Sequence, residues 1–537
     1  TSETQTGWTA EMFIPWGVVS MPKQAGARRI GLYMERFVAY KDERWSWPAL
    51  PDTVPQFISA LQSVSVKDVQ PKQQYSIFPS ASVTQDQIDG KTNYRAGADF
   101  FWRPSTNLQL TATINPDFGV AESDDVVINL SATETFFPEK RLFFLEGQDV
   151  FTASPRADTR GAGVGNRGAP YTLVNTRRIG GKPVLPVLGA GESARTKDQI
   201  QPNDLLGAVK VTGQNGQIRY GVLAAFEDDP EFLVQGAQGA RRVVGSGSEY
   251  GVARILFEDQ PGGAYKSFGA LSTMVLNESG DALVQSLDGH YLGENGKFKA
   301  DAQVFTSDKD GVDRGFGGFV DFEYAFRQGV TQRLGIEYFD DAVDVSDLGF
   351  LQRNDNFRIR QAHTRTRSDL SWARSNQLDI RGYVQKNSED LFTQGGLFVS
   401  NQSVLNNLSQ VVFRLDLLAA SYDDLNSFGN GAYRVEARQM ASIGWASNRS
   451  KPLSFGGKLG YQGEELGGDS AVYSLYATWR PDDRLVLDLM FNYLDRSGWL
   501  LHSRDRTMGT FDAEQWAPGI GVEYFISAKQ QLKFVVQ

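Results

Sequence analysis

The chain of 537 residues has no cysteine. That absence excludes disulfide scaffolds, thiol catalysis and zinc sites built on Cys. Histidine is almost as scarce. His290, His363 and His502 stand far apart and none lies in an HExxH arrangement, so neither a zinc hydrolase nor a Ser-His-Asp triad has sequence support. No apolar run reaches 18 residues, which argues against transmembrane helices but not against a membrane β-barrel, whose strands alternate. Positive charge is in deficit: Lys and Arg number 54 against 64 Asp and Glu, a formal net charge of -10. A nucleic-acid partner is therefore not expected. The opening residues TSETQTGWTAEMFIPW lack the basic start and apolar core of a signal peptide. GWTAEMFIPW already reads as a strand in progress and LKFVVQ breaks off mid-strand, so a trimmed piece of a longer precursor is expected.

What is present points to β-structure. There are 55 glycines and 12% aromatics, and the mean hydropathy of -0.35 suits strands with one apolar and one polar face. In QIRYGVLAAFE, Ile218, Tyr220, Val222, Ala224 and Phe226 share a face; in KFKADAQVF, Phe298, Ala300, Ala302 and Val304 oppose Lys297, Lys299, Asp301 and Gln303. In RLVLDLMFNYLD, Leu485, Leu487, Leu489, Phe491 and Tyr493 oppose a mixed face with Asp488 and Asn492. This period of two recurs from about residue 75 to the end.

The connections differ in length. Asn215-Gly216 and Asn295-Gly296 read as two-residue hairpin turns. The segments FFWRPSTNLQL and ATWRPDDRLVL repeat one pattern, with Trp102 and Trp479 beside a short turn, as an interfacial aromatic girdle would need. GAGVGNRGAP, EDDPEFLVQGAQGARR, FTSDKDGVDRG and DDAVDVSDLGFLQRND read as long polar loops. Short turns at one end and long loops at the other predict a large antiparallel transmembrane β-barrel of roughly 20–22 strands. A soluble β-sandwich or propeller could also alternate, but would not need so many outward apolar faces. Residues 1–70 differ: Trp8, Ala10, Met12 and Ile14 alternate, RRIGLYMERFVAY follows, and four of the ten tryptophans fall before residue 48. They predict part of a small β-sandwich, joined by a polar linker over residues 65–74 to a barrel over 75–537.

Several groups could carry chemistry. Glu134, Glu139 and Glu146 could supply an acid and a base for glycoside hydrolysis; alternatively they line a polar wall and pair with Lys140 and Arg141. Asp117, Glu122, Asp124 and Asp125 could gather around Ca²⁺, as could Asp308, Asp310 and Asp313; solvated acidic loops account for both equally simply. Trp45 and Trp47, alternate residues of one strand, point the same way. They could stack a sugar or serve as sandwich core. No cofactor other than Ca²⁺ is suggested.

The stretches INPDFG, NLSATETFFPEKRLFFLEG and NTRRIGGKP, together with GWTAEMFIPW and ERWSWPALP, resemble a family of large bacterial outer-membrane proteins. That family has an N-terminal domain similar to family-9 carbohydrate-binding modules, followed by a barrel domain of unknown function. By this resemblance, only the closing part of that module is expected in this sequence. The resemblance implies a bacterial outer-membrane location, with lipid around the barrel and saccharide or other envelope proteins as partners. Within this frame Phe136, Phe137, Phe143 and Phe144 would divide between lipid and packed wall, while Glu139, Lys140 and Arg141 turn inward around a bend at Pro138. Residues 114–183 are expected to form a hairpin and an inward-folded segment that narrows the lumen. The expected function is passage of a polar solute, saccharide among the candidates. The alternatives are a surface scaffold binding glycan or a partner, and an envelope glycoside hydrolase.

Overall fold

The computed structural model describes residues 2–4, 7–16, 26–38, 43–50, 61–67, 69, 73–86, 90–116, 129–157, 171–527 and 530–537. One sheet of 21 strands dominates it. It opens with Gln74–Asp86, Lys91–Ser105 and Leu108–Ile114. It resumes at Leu205–Asn215 and Ile218–Glu227 and ends at Thr507–Ser527 and Gln530–Val536. Ile114 stands opposite Gly207, so the third and fourth strands are direct neighbours despite some ninety residues of chain between them. The sheet curls into a barrel in which Gln530–Val536 comes round beside Gln74–Asp86. Every paired neighbour is antiparallel, so with an odd number of strands the first and last run in the same direction. No register of Cα partners joins those two among the described residues.

Alternation explains the wall. On Ile218–Glu227, Gly221, Leu223 and Ala225 are buried while Val222 and Phe226 are exposed. Register carries the exposed row from strand to strand through Ile255, Phe268 and Val304 on one side of the barrel and Leu459, Leu475 and Leu489 on the other. These seven apolar side chains, Val222 included and Phe226 left aside, are 52–61% exposed. Removing such a side chain from water is worth roughly 1.5–3 kcal/mol. A continuous belt of them is stable only against lipid, and soluble monomers rarely show apolar patches of this extent.

The connections sort by end, as the sequence predicts, but with differences in detail. At one end the links are short: Thr106-Asn107, Gly216-Gln217 and Gln328-Gly329 join consecutive strands, and Trp102 and Trp479 lie at this end. Asn215 still pairs with Ile218, and only Gly216 has positive φ (60°). The turn is therefore Gly216-Gln217, with glycine in the first central position, rather than Asn-Gly. Asn295-Gly296 sits within a longer link between Leu292 and Phe298. At the other end are residues 115–204, 228–248, 340–355 and 419–437. Here FTSDKDGVDRG is no long loop: strands Phe298–Lys309 and Val312–Arg327 nearly meet across Asp310-Gly311.

The N-terminal part contains three two-stranded pairs among the described residues. Arg28–Leu32 pairs with Gln62–Val66, and Met34–Val38 pairs with Glu43–Trp47. Glu43 meets Arg374, near the short-turn end, at 3.1 Å.

Candidate functional site: the lumen

The chain between Ile114 and Leu205 determines what the barrel encloses. Its described parts hold no hairpin. They make three short α-helical turns, Leu142–Leu145, Gln148–Phe151 and Thr196–Ile200, and two short strands, Tyr171–Thr172 and Ser193–Ala194, that pair outside the barrel sheet. The buried side chains of this segment pack against the face of the wall opposite the exposed belt. Phe143, Phe144, Val150, Phe151, Tyr171 and Ile179 share one cluster with Leu223, Val252, Leu271 and Val284 of the strands. A Cβ at Gly221 would lie 2.8 Å from the Phe151 ring and 2.9 Å from Val150. Glycine there lets the second helical turn lie flat on the wall. Tyr171 lies among Phe305, Phe319 and Phe339, with ring centroids 5.8, 5.7 and 5.6 Å away.

FFPEKRLFF is placed by these contacts. Phe143 and Phe144 are both buried in the interior cluster, and Phe136 packs edge-on against Phe350 at 4.9 Å. The expected division of these rings between lipid and wall is not seen for these three; their partners lie inside the barrel. The Arg141 guanidinium lies 4.3 Å from the Phe144 ring and donates to the carbonyls of Thr176 (2.5 Å) and Ile179 (2.7 Å). It also grips Glu139 through Nε at 2.9 Å and Nη2 at 2.7 Å. Glu139 accepts further bonds from the Lys140 and Arg141 amides and the Thr176 hydroxyl. Burial works to raise its carboxyl, but the Arg141 guanidinium and the Thr176 hydroxyl together hold it below the usual carboxylate range.

The five charged residues singled out from sequence share this segment but not one cluster. Glu139 pairs with Arg141. Glu134 forms a two-pronged pair with Arg178, 2.7 Å on each side, and Glu146 faces Arg103 of the wall at 4.0 Å. Each of these carboxylates thus faces a guanidinium. Lys140 contributes its backbone amide to Glu139.

The interior residues that sequence reasoning missed are on the wall and beyond the FFPEKRLFF motif. Arg156 binds Asp321 through Nε and Nη2, both at 2.7 Å, also bonds Glu337, and lies 4.0 Å from the Phe319 ring. Burial alone would lower its pKa; the two carboxylates raise it instead. Lys210 donates to the carbonyls of Phe143 and Glu146. No local motif marks Arg156, because its partners lie 165 and 181 residues away.

Two cavities flank this seat. The larger, about 750 Å³, lies towards the short-turn end, between the segment at Glu139, Gln148 and Thr152 and the wall at Arg219, Glu258 and Tyr265. The smaller, about 300 Å³, lies on the long-loop side and is lined by Thr133, Arg353, Asp424 and Asn426. Arg156 and Glu337 line the smaller cavity, and Ser154 and Pro155 the larger.

The other sequence candidates are dispersed. Trp45 and Trp47 are 52% and 47% exposed on Glu43–Trp47, and the Trp45 indole donates to Glu43 at 3.0 Å. Asp117, Glu122, Asp124 and Asp125 lie outside the described residues. Asp308 is held by Arg314, and Asp310 accepts from the Asp281 amide. Among the described residues no group of three or more His, Asp or Glu is placed to hold a metal ion, and no helix is long and apolar enough to cross a membrane.

A barrel with an apolar exposed belt, aromatic residues beside short turns and a polar or packed interior is a bacterial outer-membrane β-barrel. The chain belongs to the family described as Domain of unknown function (DUF5916), whose model matches residues 72–537. No curated protein matches it by sequence. Among solved structures it is similar to the ferric enterobactin receptor of Pseudomonas aeruginosa, with 9% identity, 86% of this chain and 75% of that one covered, and a TM-score of 0.40. It is also similar to Acinetobacter baumannii OccAB4 (7% identity, 64% and 95% covered, TM-score 0.30) and to the P. aeruginosa outer membrane protein OpdK (10%, 64% and 96%, 0.32). These likenesses are distant, and the barrel assignment rests on the wall itself.

Proposed function

We propose that this protein is a gated passage for polar solutes across the outer membrane, with the segment between the third and fourth strands as the gate. The observation that carries this reading is the Arg156 seat. One side chain of the segment holds two carboxylates of the wall, Asp321 and Glu337, at the divide between two cavities that both carry charged side chains. Breaking a buried ion pair by removing one partner is costly, so a seat of this kind is stable when engaged and releases as a unit. The wall opposite is suited to wet transit: Arg414, Lys458 and Asp488 point inward and are exposed.

The test is conductance of the full chain in a planar bilayer, for the parent and for Arg156→Ala. Low or flickering conductance in the parent and a sustained larger conductance in the variant are expected. Equal conductance in both, from folded and heat-modifiable protein, would overturn the gate.

A second reading is favoured by the exposed indoles of Trp45 and Trp47, which share one strand face. They form a surface on which the apolar face of a saccharide could stack, delivering ligand near the short-turn end. Loss of oligosaccharide binding in a Trp45→Ala/Trp47→Ala double variant, with conductance unchanged, would support it; binding unchanged would remove it.

A further inference from the structure

The larger cavity holds polar atoms that the protein itself leaves unused. Arg254 Nε and Ser267 Oγ are both buried; Arg254 Nε has no hydrogen-bond partner, and Ser267 Oγ has only the neighbouring Tyr265 hydroxyl beside it, short of a well-formed bond. Their residues are 4% and 7% exposed and both line the chamber. A buried donor without a partner is disfavoured unless something else fills it. These two therefore point to a missing occupant.

The charges around them limit what that occupant can be. Arg254 reaches across the strand Tyr265–Leu276 to hold Asp288 with both terminal nitrogens. It can do so because residue 269 is glycine: a Cβ there would lie 2.6 Å from the guanidinium. His290 continues the chain, with Nε2 3.2 Å from Asp288 and Nδ1 2.8 Å from Asp301, and Lys299 closes it on Asp301 at 3.1 Å. On the other side Arg219 lies between Asp149 and Glu258. Every charge named here already has an opposite neighbour. An ionic ligand that broke the Arg254–Asp288 pair or the His290 bridge to Asp301 would leave a buried charge behind. A neutral ligand rich in hydroxyl groups need break none. Each hydroxyl can donate to a carboxylate and accept from Arg254 Nε or Ser267 Oγ. Phe136, Leu145 and Leu256 supply apolar lining for the C–H faces of such a ligand. A volume of about 750 Å³ is within the range of small-molecule sites, about 300–1,000 Å³.

We infer that this chamber is a binding site for a neutral, polyhydroxylated solute of oligosaccharide size, held on Arg254 and Ser267. The inference rests on the reading of the barrel as a polar passage and names the class of solute that its inner chamber retains.

The experiment is titration calorimetry on the detergent-solubilised full chain, with maltotriose and cellotriose as neutral probes. Trimers of the same size carrying carboxylate or amino groups serve for comparison, and conductance is recorded in parallel. Saturable binding of a neutral trimer, tighter than either charged one, is expected. Ser267→Ala removes one hydroxyl beside that of Tyr265 and should leave folding intact while weakening binding about three- to tenfold, the effect of one hydrogen bond. Gly269→Ala, which crowds the Arg254 guanidinium, should weaken it further. Tighter binding of a charged trimer, or no saturable binding of any neutral one, would overturn the inference even where conductance shows an open passage. Binding that neither substitution alters would also overturn it, by placing the site elsewhere. Absence of conductance in both the parent and Arg156→Ala would instead overturn the underlying passage reading.

Discussion

The two halves of the barrel wall use the same alternating strand for different ends. From Leu205 to Phe339 the inward face is packed: Leu223, Val252, Leu271, Val284, Phe305 and Phe319 are buried against the inserted segment. From Leu453 to Val536 the inward face stays open, and Lys458, Tyr476, Asp488 and Met490 are exposed although they point away from the lipid belt. The outward rows do not differ in kind, as Val304 at 59% and Leu475 at 61% exposed show. The contrast is therefore set wholly by what lies inside. Where the segment lies against it the inner face has become a protein core, leaving only the chamber beside Arg254 and Ser267 open; where no segment covers it the inner face remains polar or loosely covered. One strand pattern serves both because alternation only fixes two faces, and each face then takes the chemistry of its surroundings.

The largest test of this contrast is Arg156→Ala. It leaves Asp321 and Glu337 without their shared cation and should destabilise the seated segment by about 3–5 kcal/mol, read as a lower thermal midpoint and as faster proteolysis near residue 156. A smaller effect is expected from Gly221→Val, whose added side chain meets Phe151 and Val150. Overpacking of this kind costs about 1–3 kcal/mol, and the same proteolysis assay should show it. If both substitutions left protection unchanged, the packed half would not owe its dryness to the segment.

Acid offers a third test. The Glu139 carboxyl is held below its usual range in the folded state. Its contribution to the fold of the segment, through Arg141 and Thr176, is therefore complete above the unfolded value of about 4.3, and it fades as the pH falls through the lower folded value. Conductance recorded from pH 7 to pH 3 should rise in that acid window. Glu139→Gln should flatten the rise, and an identical profile would remove Glu139 from the seat. The smallest expected change is on the wet half. Lys458→Gln should alter stability by no more than about 0.5 kcal/mol, yet shift ion selectivity in reversal-potential measurements. A large loss of stability there would erase the distinction between the halves.

Much of the wall was legible in sequence because lipid enforces a period of two over long stretches. The faces read from QIRYGVLAAFE and KFKADAQVF are the faces found: Val222 and Val304 point out, and Lys299 and Asp301 point in. Turn chemistry was less legible. Asn215 looked like a turn residue but continues the ladder, and Gly216 alone takes positive φ. The interior was hardest, for a physical reason. Glu139 and Arg141 are neighbours in sequence and their pairing could be anticipated. Arg178 with Glu134, Arg103 with Glu146, and Arg156 with Asp321 and Glu337 are joined only by the folding of the segment into the barrel. The chamber around Arg254 and Ser267 has no motif, since its lining is gathered from several strands and from the inserted segment.

The insertion between Ile114 and Gly207 has a topological consequence. Because these two residues face each other across one ladder, the segment leaves and re-enters the wall at a single point on the rim. It is a loop of string pushed into a cup, with both ends tied to the same spot. It can be drawn out without unthreading the chain or parting any strand of the barrel sheet from its neighbour, at the cost only of the short pairings of Tyr171–Thr172 and Ser193–Ala194. The sheet can therefore zip up first and receive its filling afterwards, so that assembly of the wall and stoppering of its interior are separable events.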